Sequence, residues 1–167
     1  MPLLEKLTLT QSDDDDESVI RLRTQLYSLL GRHSDNAELV KKSKALAEQY
    51  LADTGSMPNG IARTALNVTT MGPDADPAWF DRIMKVFADS KLPNVKNTLL
   101  YSMGYEDPAM IDKLLDLALT DNVTPANTIL MLASVTRNLD DQTPYYAWLS
   151  DNAEAVLEKM PDYHVSR

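Results

Sequence analysis

The chain has 167 residues, a formal net charge of −9, two histidines and no cysteine. This length predicts one domain with a buried core, and the negative charge argues against nucleic acid or an anionic membrane as the main partner. Without cysteine the chain cannot use disulfides, thiolate zinc ligands or a cysteine nucleophile.

No stretch approaches the roughly 18 continuous apolar residues that a transmembrane helix needs. Residues 1–5 also lack the basic start and the long apolar segment of a signal peptide. The sequence therefore predicts a soluble protein, and it leaves open whether that protein is cytoplasmic or periplasmic/extracytoplasmic.

The first predicted helix follows a lead-in segment, residues 1–15. The acidic run 13–17 favours a helix start, because carboxylates stabilise the positive end of a helix dipole, and Gly31 is typical of a helix C-cap. A calcium loop is the functional alternative for the run, but Ser18 and Thr24 stand where that loop needs glycine and glutamate. The apolar residues of this helix share one side: Val19, Leu22, Leu26, Leu29 and Leu30.

Two more helices are predicted before residue 72. Residues 35–38 resemble a capping box, which begins a helix with apolar positions Val40, Ala47, Tyr50 and Leu51. The turn-forming cluster 54–60 separates it from a shorter helix, which contains Ile61, Ala65 and Val68 and ends at Gly72-Pro73.

Two helical hairpins follow. An Asp or Thr before Pro predicts a helix start, because its side-chain oxygen caps a free N–H and proline needs no donor at the first helical position. The first hairpin opens at Asp76-Pro77 and contains Phe80, Ile83, Met84 and Phe87, then Pro93, Val95, Leu99 and Met103 before Gly104. The second opens at Asp107-Pro108, with Ile111, Leu114, Leu115 and Ala118 on one side of a half-exposed helix. Its second member starts at Thr124-Pro125, is apolar on nearly every side over residues 129–135, and is therefore expected to be buried.

The last predicted helix opens at Thr143-Pro144, ends at Pro161 and contains Tyr145, Trp148, Leu149, Val156, Leu157 and Met160. Hairpin starts at 76, 107 and 143 are spaced by 31 and 36 residues. Such a spacing is typical of stacked helix pairs, because one pair cannot bury its own apolar face. No alternating strand pattern occurs, so the predicted fold is all-α with about eight helices.

Residue patterns that carry chemistry are scarce. His33 and His164 are single and 131 positions apart, and no His-Glu-x-x-His, glycine-rich phosphate loop or Gly-x-Ser-x-Gly motif occurs. Most carboxylates fall at helix starts, where capping explains them. Tyr145, Tyr146 and Trp148 could form a recognition surface, although aromatic residues at helical spacing beside leucines are more often core. The sequence therefore predicts no catalysis and no bound cofactor for this chain alone.

Three segments resemble one protein family. They are residues 18–27 (SVIRLRTQLY), residues 99–108 (LLYSMGYEDP), and Arg137-Asn138 with the later segment 145–152 (YYAWLSDN). Over residues 16–160 the chain is similar to the C-terminal α-helical superhelix domain of zinc aminopeptidases. This family includes aminopeptidase N, the puromycin-sensitive enzyme and the endoplasmic-reticulum aminopeptidases.

The resemblance implies an α-α superhelix of HEAT-like antiparallel helix pairs, forming a concave bowl over a separate catalytic domain. Zinc and its ligands would belong to that catalytic domain, so no catalytic or metal-binding residue is carried over to this chain. The family domain continues with further helices after the Pro161 region. We therefore expect residues 16–167 to be a partial C-terminal domain.

The predicted function is that of a non-catalytic domain whose concave wall closes the substrate cavity for cleavage of peptide N-termini. Its partners would be the catalytic domain of the same polypeptide and peptide substrates, with neither nucleic acid nor membrane. Candidate cavity-lining residues are Tyr101, Arg137 and Asn138. The alternative is a free-standing helical-repeat scaffold for protein–protein interaction, and an encoded upstream His-Glu-x-x-His motif would distinguish the two.

Weak self-association through the end of the chain is also predicted. The apolar stripe of Val156, Leu157 and Met160 is followed only by residues 161–167, which are too few to form a covering helix. Part of this stripe is expected to pack back on the preceding hairpin, and the rest to be exposed or buried by another copy.

Overall fold

The computed structural model describes residues 16–33, 36–71, 76, 78–103, 108–138 and 141–160, and it describes the backbone alone at 108, 109, 137 and 138. Within these ranges the chain forms nine α-helices and no β-strand, which confirms the predicted all-α class and is consistent with an α-α superhelix. None of these helices is long and apolar enough to cross a membrane. They are α1 (Glu17–His33), α2 (Ala37–Ala52), α3 (Asn59–Met71), α4 (Ala78–Asp89), α5 (Pro93–Leu100), α6 (Pro108–Leu119), α7 (Pro125–Asn138), α8 (Thr143–Asp151) and α9 (Ala153–Lys159).

The chain divides into two compact units, Met1–Ser102 and Met103–Arg167. In the first unit α2 pairs with α3 and α4 pairs with α5, so the predicted hairpin after Asp76 is confirmed. Helices α1, α3 and α5 contact one another in succession, and α2 contacts α4. The described helices of this unit therefore form two layers.

Helix α3 is the packing centre of the first unit, since it contacts α1, α2, α4 and α5. Its buried apolar residues include Ala62, Ala65, Leu66 and Val68, none of them more than 1% exposed. Each of its buried threonines donates a hydrogen bond from its hydroxyl to the carbonyl oxygen one turn earlier. The Thr69 hydroxyl, for example, donates to the Ala65 carbonyl oxygen at 2.9 Å. The burial of these side chains stabilises the first unit around α3.

Gly31 has a different role from the predicted helix C-cap. It lies inside α1, and none of the described glycines has a positive φ. A Cβ atom at this position would lie 2.5 Å from Val68 Cγ2 and 2.7 Å from Leu39 Cδ2. The missing side chain therefore allows α1 to approach α2 and α3 closely, and the C-cap prediction was wrong because it considered only the local sequence.

Replacing Gly31 by alanine is expected to lower the free energy of unfolding by up to about 2 kcal/mol. Alanine favours a helix by roughly 1 kcal/mol over glycine, but overpacking costs about 1–3 kcal/mol. Val68 is β-branched and 1% exposed, so it has little freedom to move away. Urea denaturation measures the change. The control is Gly60→Ala, where an added Cβ meets no atom within 4 Å and stability should not fall.

The helix starts in the described residues mostly follow the predicted chemistry. Asn36 caps α2 by accepting a hydrogen bond from the Leu39 N–H at 3.1 Å. Asp76 accepts from the Ala78 N–H at 2.9 Å at the start of α4, and the Thr124 hydroxyl accepts from the Asn127 N–H at 3.3 Å at the start of α7. Gly72, Pro73, Gly104 and Asp107, which were also assigned helix-boundary roles, lie outside the described residues.

In the second unit α6 and α7 form the predicted hairpin, joined by a hydrogen bond from the buried Thr128 hydroxyl to the Ala118 carbonyl oxygen at 2.8 Å. The expected difference in burial between the two helices is wrong. Helix α7 exposes Leu130 (38%), while Leu114 and Leu115 of α6 are 2% and 1% exposed. Both helices are amphipathic, because each has solvent on one side in the described residues.

The segment after residue 142 forms two helices rather than the single predicted one. Asn152 interrupts it, with φ −112° and ψ 14°, and its side-chain amide donates to the Trp148 carbonyl oxygen at 2.9 Å. A side-chain amide that caps the last turn in this way competes with continuation of the helix. Helix α9 then packs on α6 with Val156 buried, and Leu157 is 56% exposed.

The start of α8 also differs from the prediction. Thr143 is the first helical residue rather than the cap, and its N–H donates to the Asp141 carboxylate at 2.9 Å. The Thr143 hydroxyl also donates to this carboxylate, and these bonds lower the pKa of Asp141 from its ordinary value of 3.8. Both bonds favour the ionised carboxylate over the acid.

Acidification is therefore expected to remove a stabilising contribution from Asp141. Because its folded-state pKa is lowered, the contribution is present above pH 3.8 and is lost as the pH falls through the folded-state pKa. The stability difference between the wild-type chain and Asp141→Ala should shrink over that window when unfolding is followed from neutral to acidic pH. Thr143→Val keeps the bond from the backbone N–H to Asp141, so it should lower the free energy of unfolding less than Asp141→Ala does. An Asp141→Ala difference that does not change with pH would contradict this assignment.

Candidate functional site

Tyr101, one of the predicted cavity-lining residues, is the C-cap residue of α5 and is 41% exposed. The chain next to it is tied to α3, because the buried Thr70 hydroxyl donates to the Ser102 carbonyl oxygen at 2.7 Å. The Ser102 hydroxyl donates in turn to the Thr98 carbonyl oxygen, also at 2.7 Å. These bonds hold the end of α5, where Tyr101 lies.

Arg63 lies over this ring. Its guanidinium carbon is 5.7 Å from the centroid of the Tyr101 ring, within the range of a cation–π contact. At an exposed position such a contact contributes about 0.5–1 kcal/mol. The pair orients the guanidinium and leaves its N–H donors at the surface, since Arg63 is exposed.

Asn67 follows Arg63 by one turn on α3, so the two residues share a face of the helix. Its amide oxygen is buried and has no hydrogen-bond partner in the described residues. An unsatisfied buried acceptor costs about 1–3 kcal/mol, and a donor from a bound molecule or a rotated amide would recover this. Asn97 lies one turn before Tyr101 on α5. We call Arg63, Asn67, Asn97 and Tyr101 the α3–α5 surface.

Tyr50 of α2 is hydrogen-bonded to the start of α3. It is fully buried, and its phenol donates to the Asn59 amide oxygen at 2.9 Å. Burial raises the pKa of Tyr50 above 10, against a smaller lowering by a hydrogen bond with Thr98. The phenol therefore stays neutral at physiological pH and keeps donating its hydrogen bond.

The other two predicted cavity residues, Arg137 and Asn138, form the end of α7, and their side chains lie outside the described residues. They remain predictions. Of the aromatic residues near the end of the chain, Tyr145 has the core role considered for it, and a recognition role for the cluster stays a prediction. Tyr145 is buried, whereas Tyr146 is 58% exposed and contacts the Tyr145 ring edge-on at 5.5 Å.

The α3–α5 surface has groups that bind rather than react. It offers guanidinium donors, two side-chain amides and an aromatic ring, and amides and guanidinium groups of this kind hydrogen-bond peptide backbones. Among the described residues no group of three or more His, Cys, Asp or Glu side chains lies close enough to hold a metal ion. These residues do not fit a zinc ion, and no chemical step is assigned to them.

Sequence reasoning missed Arg63 and Asn67. It singled out Ile61, Ala65 and Val68 of the same helix because they predict the buried side. A signal was nevertheless present, since Arg63 and Asn67 are polar residues four positions apart in a helix whose other central residues are buried. Their relation to Tyr101 depends on the packing of α3 on α5, which the sequence does not display.

The paired helices of the two units define an all-helical protein, consistent with an α-α superhelix. The model of one family, the ERAP1-like C-terminal domain, matches residues 1–167. The chain therefore belongs to the ERAP1-like C-terminal domain family, whose members are non-catalytic C-terminal domains of aminopeptidases. Among curated proteins, none matches the chain.

Proposed function

We propose that this chain forms part of the wall of the substrate cavity in a zinc aminopeptidase, where the α3–α5 surface contacts the peptide. The family match over the whole chain supports this proposal, because the members of that family are C-terminal domains of aminopeptidases. The zinc ion and the hydrolytic step belong in this proposal to a separate catalytic domain of the same polypeptide.

The role of the surface is steric and electrostatic. Arg63, held over Tyr101, donates hydrogen bonds to peptide carbonyl oxygens. The Asn67 amide oxygen is buried, so in this proposal the amide rotates and brings the oxygen to the surface, where it accepts a hydrogen bond from a peptide N–H. The Tyr101 ring supplies apolar contact to a passing side chain. The contact between Arg63 and Tyr101 restricts both side chains, which reduces the side-chain entropy lost when a peptide binds. Arg137 and Asn138 at the end of α7 are further candidates for the same wall.

Peptide binding by the chain tests this role. The probe is a fluorescein-labelled, unstructured peptide with a free amino terminus, and its anisotropy is followed during titration. Hydrogen bonds from a charged group contribute about 1.5–3 kcal/mol, so Arg63→Ala should weaken binding by about tenfold or more. Tyr101→Ala should also weaken it. Arg21→Ala, which removes an exposed arginine of α1, is the matched control, and equal affinities for all variants would overturn the assignment.

A second expectation concerns chemistry. The purified chain should neither hydrolyse an aminoacyl-anilide nor bind zinc stoichiometrically, because its two histidines are 131 positions apart in the sequence. One tightly bound zinc per chain in a metal analysis, or measurable turnover of the anilide, would contradict the proposal that zinc and hydrolysis belong to a separate catalytic domain.

A further inference from the structure

Acidic residues are divided unequally between the two helices of each pair. The first helix of each pair, α2, α4 or α6, contains two acidic residues, whereas the second helix, α3, α5 or α7, contains none. The second helices are nevertheless charged, since they contain Arg63, Lys96 and Arg137. The chain as a whole has 25 acidic residues and a net charge of −9. The two helices that form the α3–α5 surface therefore carry positive charge and no negative charge.

Arg63 is the cation of this surface, and Arg82 of α4 shows what such a residue binds. The Arg82 guanidinium carbon lies 4.2 Å from the centroid of the Trp79 ring, and its Nη1 atom is 3.5 Å from Glu48 Oε1. Arg63 has the ring of Tyr101 in the same role, but no carboxylate among the described residues pairs with it. A carboxylate of a bound molecule would give Arg63 both of the contacts that Arg82 has.

We propose that the α3–α5 surface prefers peptides with an acidic side chain, and that Arg63 is the residue that recognises it. This inference rests on the proposed function, because it needs a peptide on this surface. The guanidinium donates two parallel hydrogen bonds to the Asp or Glu carboxylate of the peptide, while its face stays on the Tyr101 ring. Arg63 is then a specificity-determining residue.

The main chain of the peptide cannot produce this preference. Its carbonyl oxygens are neutral and occur in every sequence, so hydrogen bonds to them do not distinguish one peptide from another. An acidic side chain adds an opposite charge beside Arg63, where α3 and α5 have no carboxylate to repel it. A peptide that passes along a wall presents side chains over its whole length and a carboxyl terminus at one end only. We therefore assign the carboxylate to a side chain.

A double-mutant cycle between peptide and protein tests the preference. Two peptides with the same fluorescein label, a free amino terminus and an amidated carboxyl terminus differ only by Glu or Gln at one internal position. The wild-type chain should bind the Glu peptide about fivefold more tightly, as expected for an exposed ion pair. Added salt should reduce this ratio. Arg63→Gln should bind the two peptides equally.

Lys96→Gln is the matched control, because it removes one positive charge from α5 at a position where the ammonium lies over the Phe87 ring. It should leave the ratio of the two affinities unchanged. The inference is overturned if the wild-type chain binds both peptides equally, or if Lys96→Gln abolishes the preference as Arg63→Gln does. In either case the proposed function stands, since peptides still bind. If neither peptide binds, the proposed function fails with the inference.

A third peptide separates the two sources of a carboxylate. It contains Gln at the internal position and has a free carboxyl terminus instead of the amide. It should bind the wild-type chain more weakly than the Glu peptide does. A gain in affinity from the free carboxyl terminus, without a gain from the internal Glu, would overturn the assignment to a side chain.

Discussion

Replacing Phe87 by alanine is expected to lower the free energy of unfolding of the first unit by about 3–5 kcal/mol, the range for phenylalanine truncation in a core. The Phe87 ring is 1% exposed in α4, and the Lys96 ammonium of α5 lies 4.7 Å from its centroid. Truncation removes apolar contacts within the α4–α5 hairpin and leaves a cavity that the backbone of two paired helices cannot fill. Urea denaturation followed by circular dichroism measures the loss.

Leu92→Ala is the control for this change. Leu92 lies between the same two helices but is 56% exposed, so its truncation should alter stability by no more than about 0.5 kcal/mol. If the two variants lost comparable stability, Phe87 would not lie in the core, and α4 would not pack on α5 as described.

The second large effect is expected in the α6–α7 hairpin. Leu114→Ala should cost about 2–5 kcal/mol, because Leu114 is 2% exposed on the buried side of α6. Leu130→Ala in α7 should cost much less, because Leu130 is 38% exposed. Hydrogen exchange would show the loss of amide protection within the second unit, and chemical denaturation would measure the loss of unfolding free energy.

The relative stability of Leu114→Ala and Leu130→Ala distinguishes two descriptions of the hairpin. The sequence predicts α7 as the buried helix, in which case Leu130→Ala would destabilise the unit as strongly as Leu114→Ala. The structure places solvent beside both helices, so Leu114→Ala should be clearly the worse. Leu132→Ala, a buried position of α7 (6% exposed), should also cost about 2–5 kcal/mol.

The sequence by itself determined the all-α class, the two central hairpins and most helix starts. These features depend on interactions within a few residues, such as the bond from the Ala78 N–H to Asp76 and the cap that Thr124 provides for α7. Helical periodicity is equally local, so it located the buried sides of α4 and α6 correctly. The resemblance to aminopeptidase C-terminal domains also came from the sequence, and the family match confirms it.

The tertiary structure alone decided which of these local features face another helix. Gly31 fits the local pattern of a helix end, but Val68, 37 positions away in the chain, gives it a packing role. Arg63 and Asn67 become part of a surface with Tyr101 only because the buried Thr70 hydroxyl ties the end of α5 to α3. The exposure of Leu22 and Leu130 was likewise undetermined, because an apolar stripe specifies that a helix can bury one side and does not specify whether a neighbour covers it.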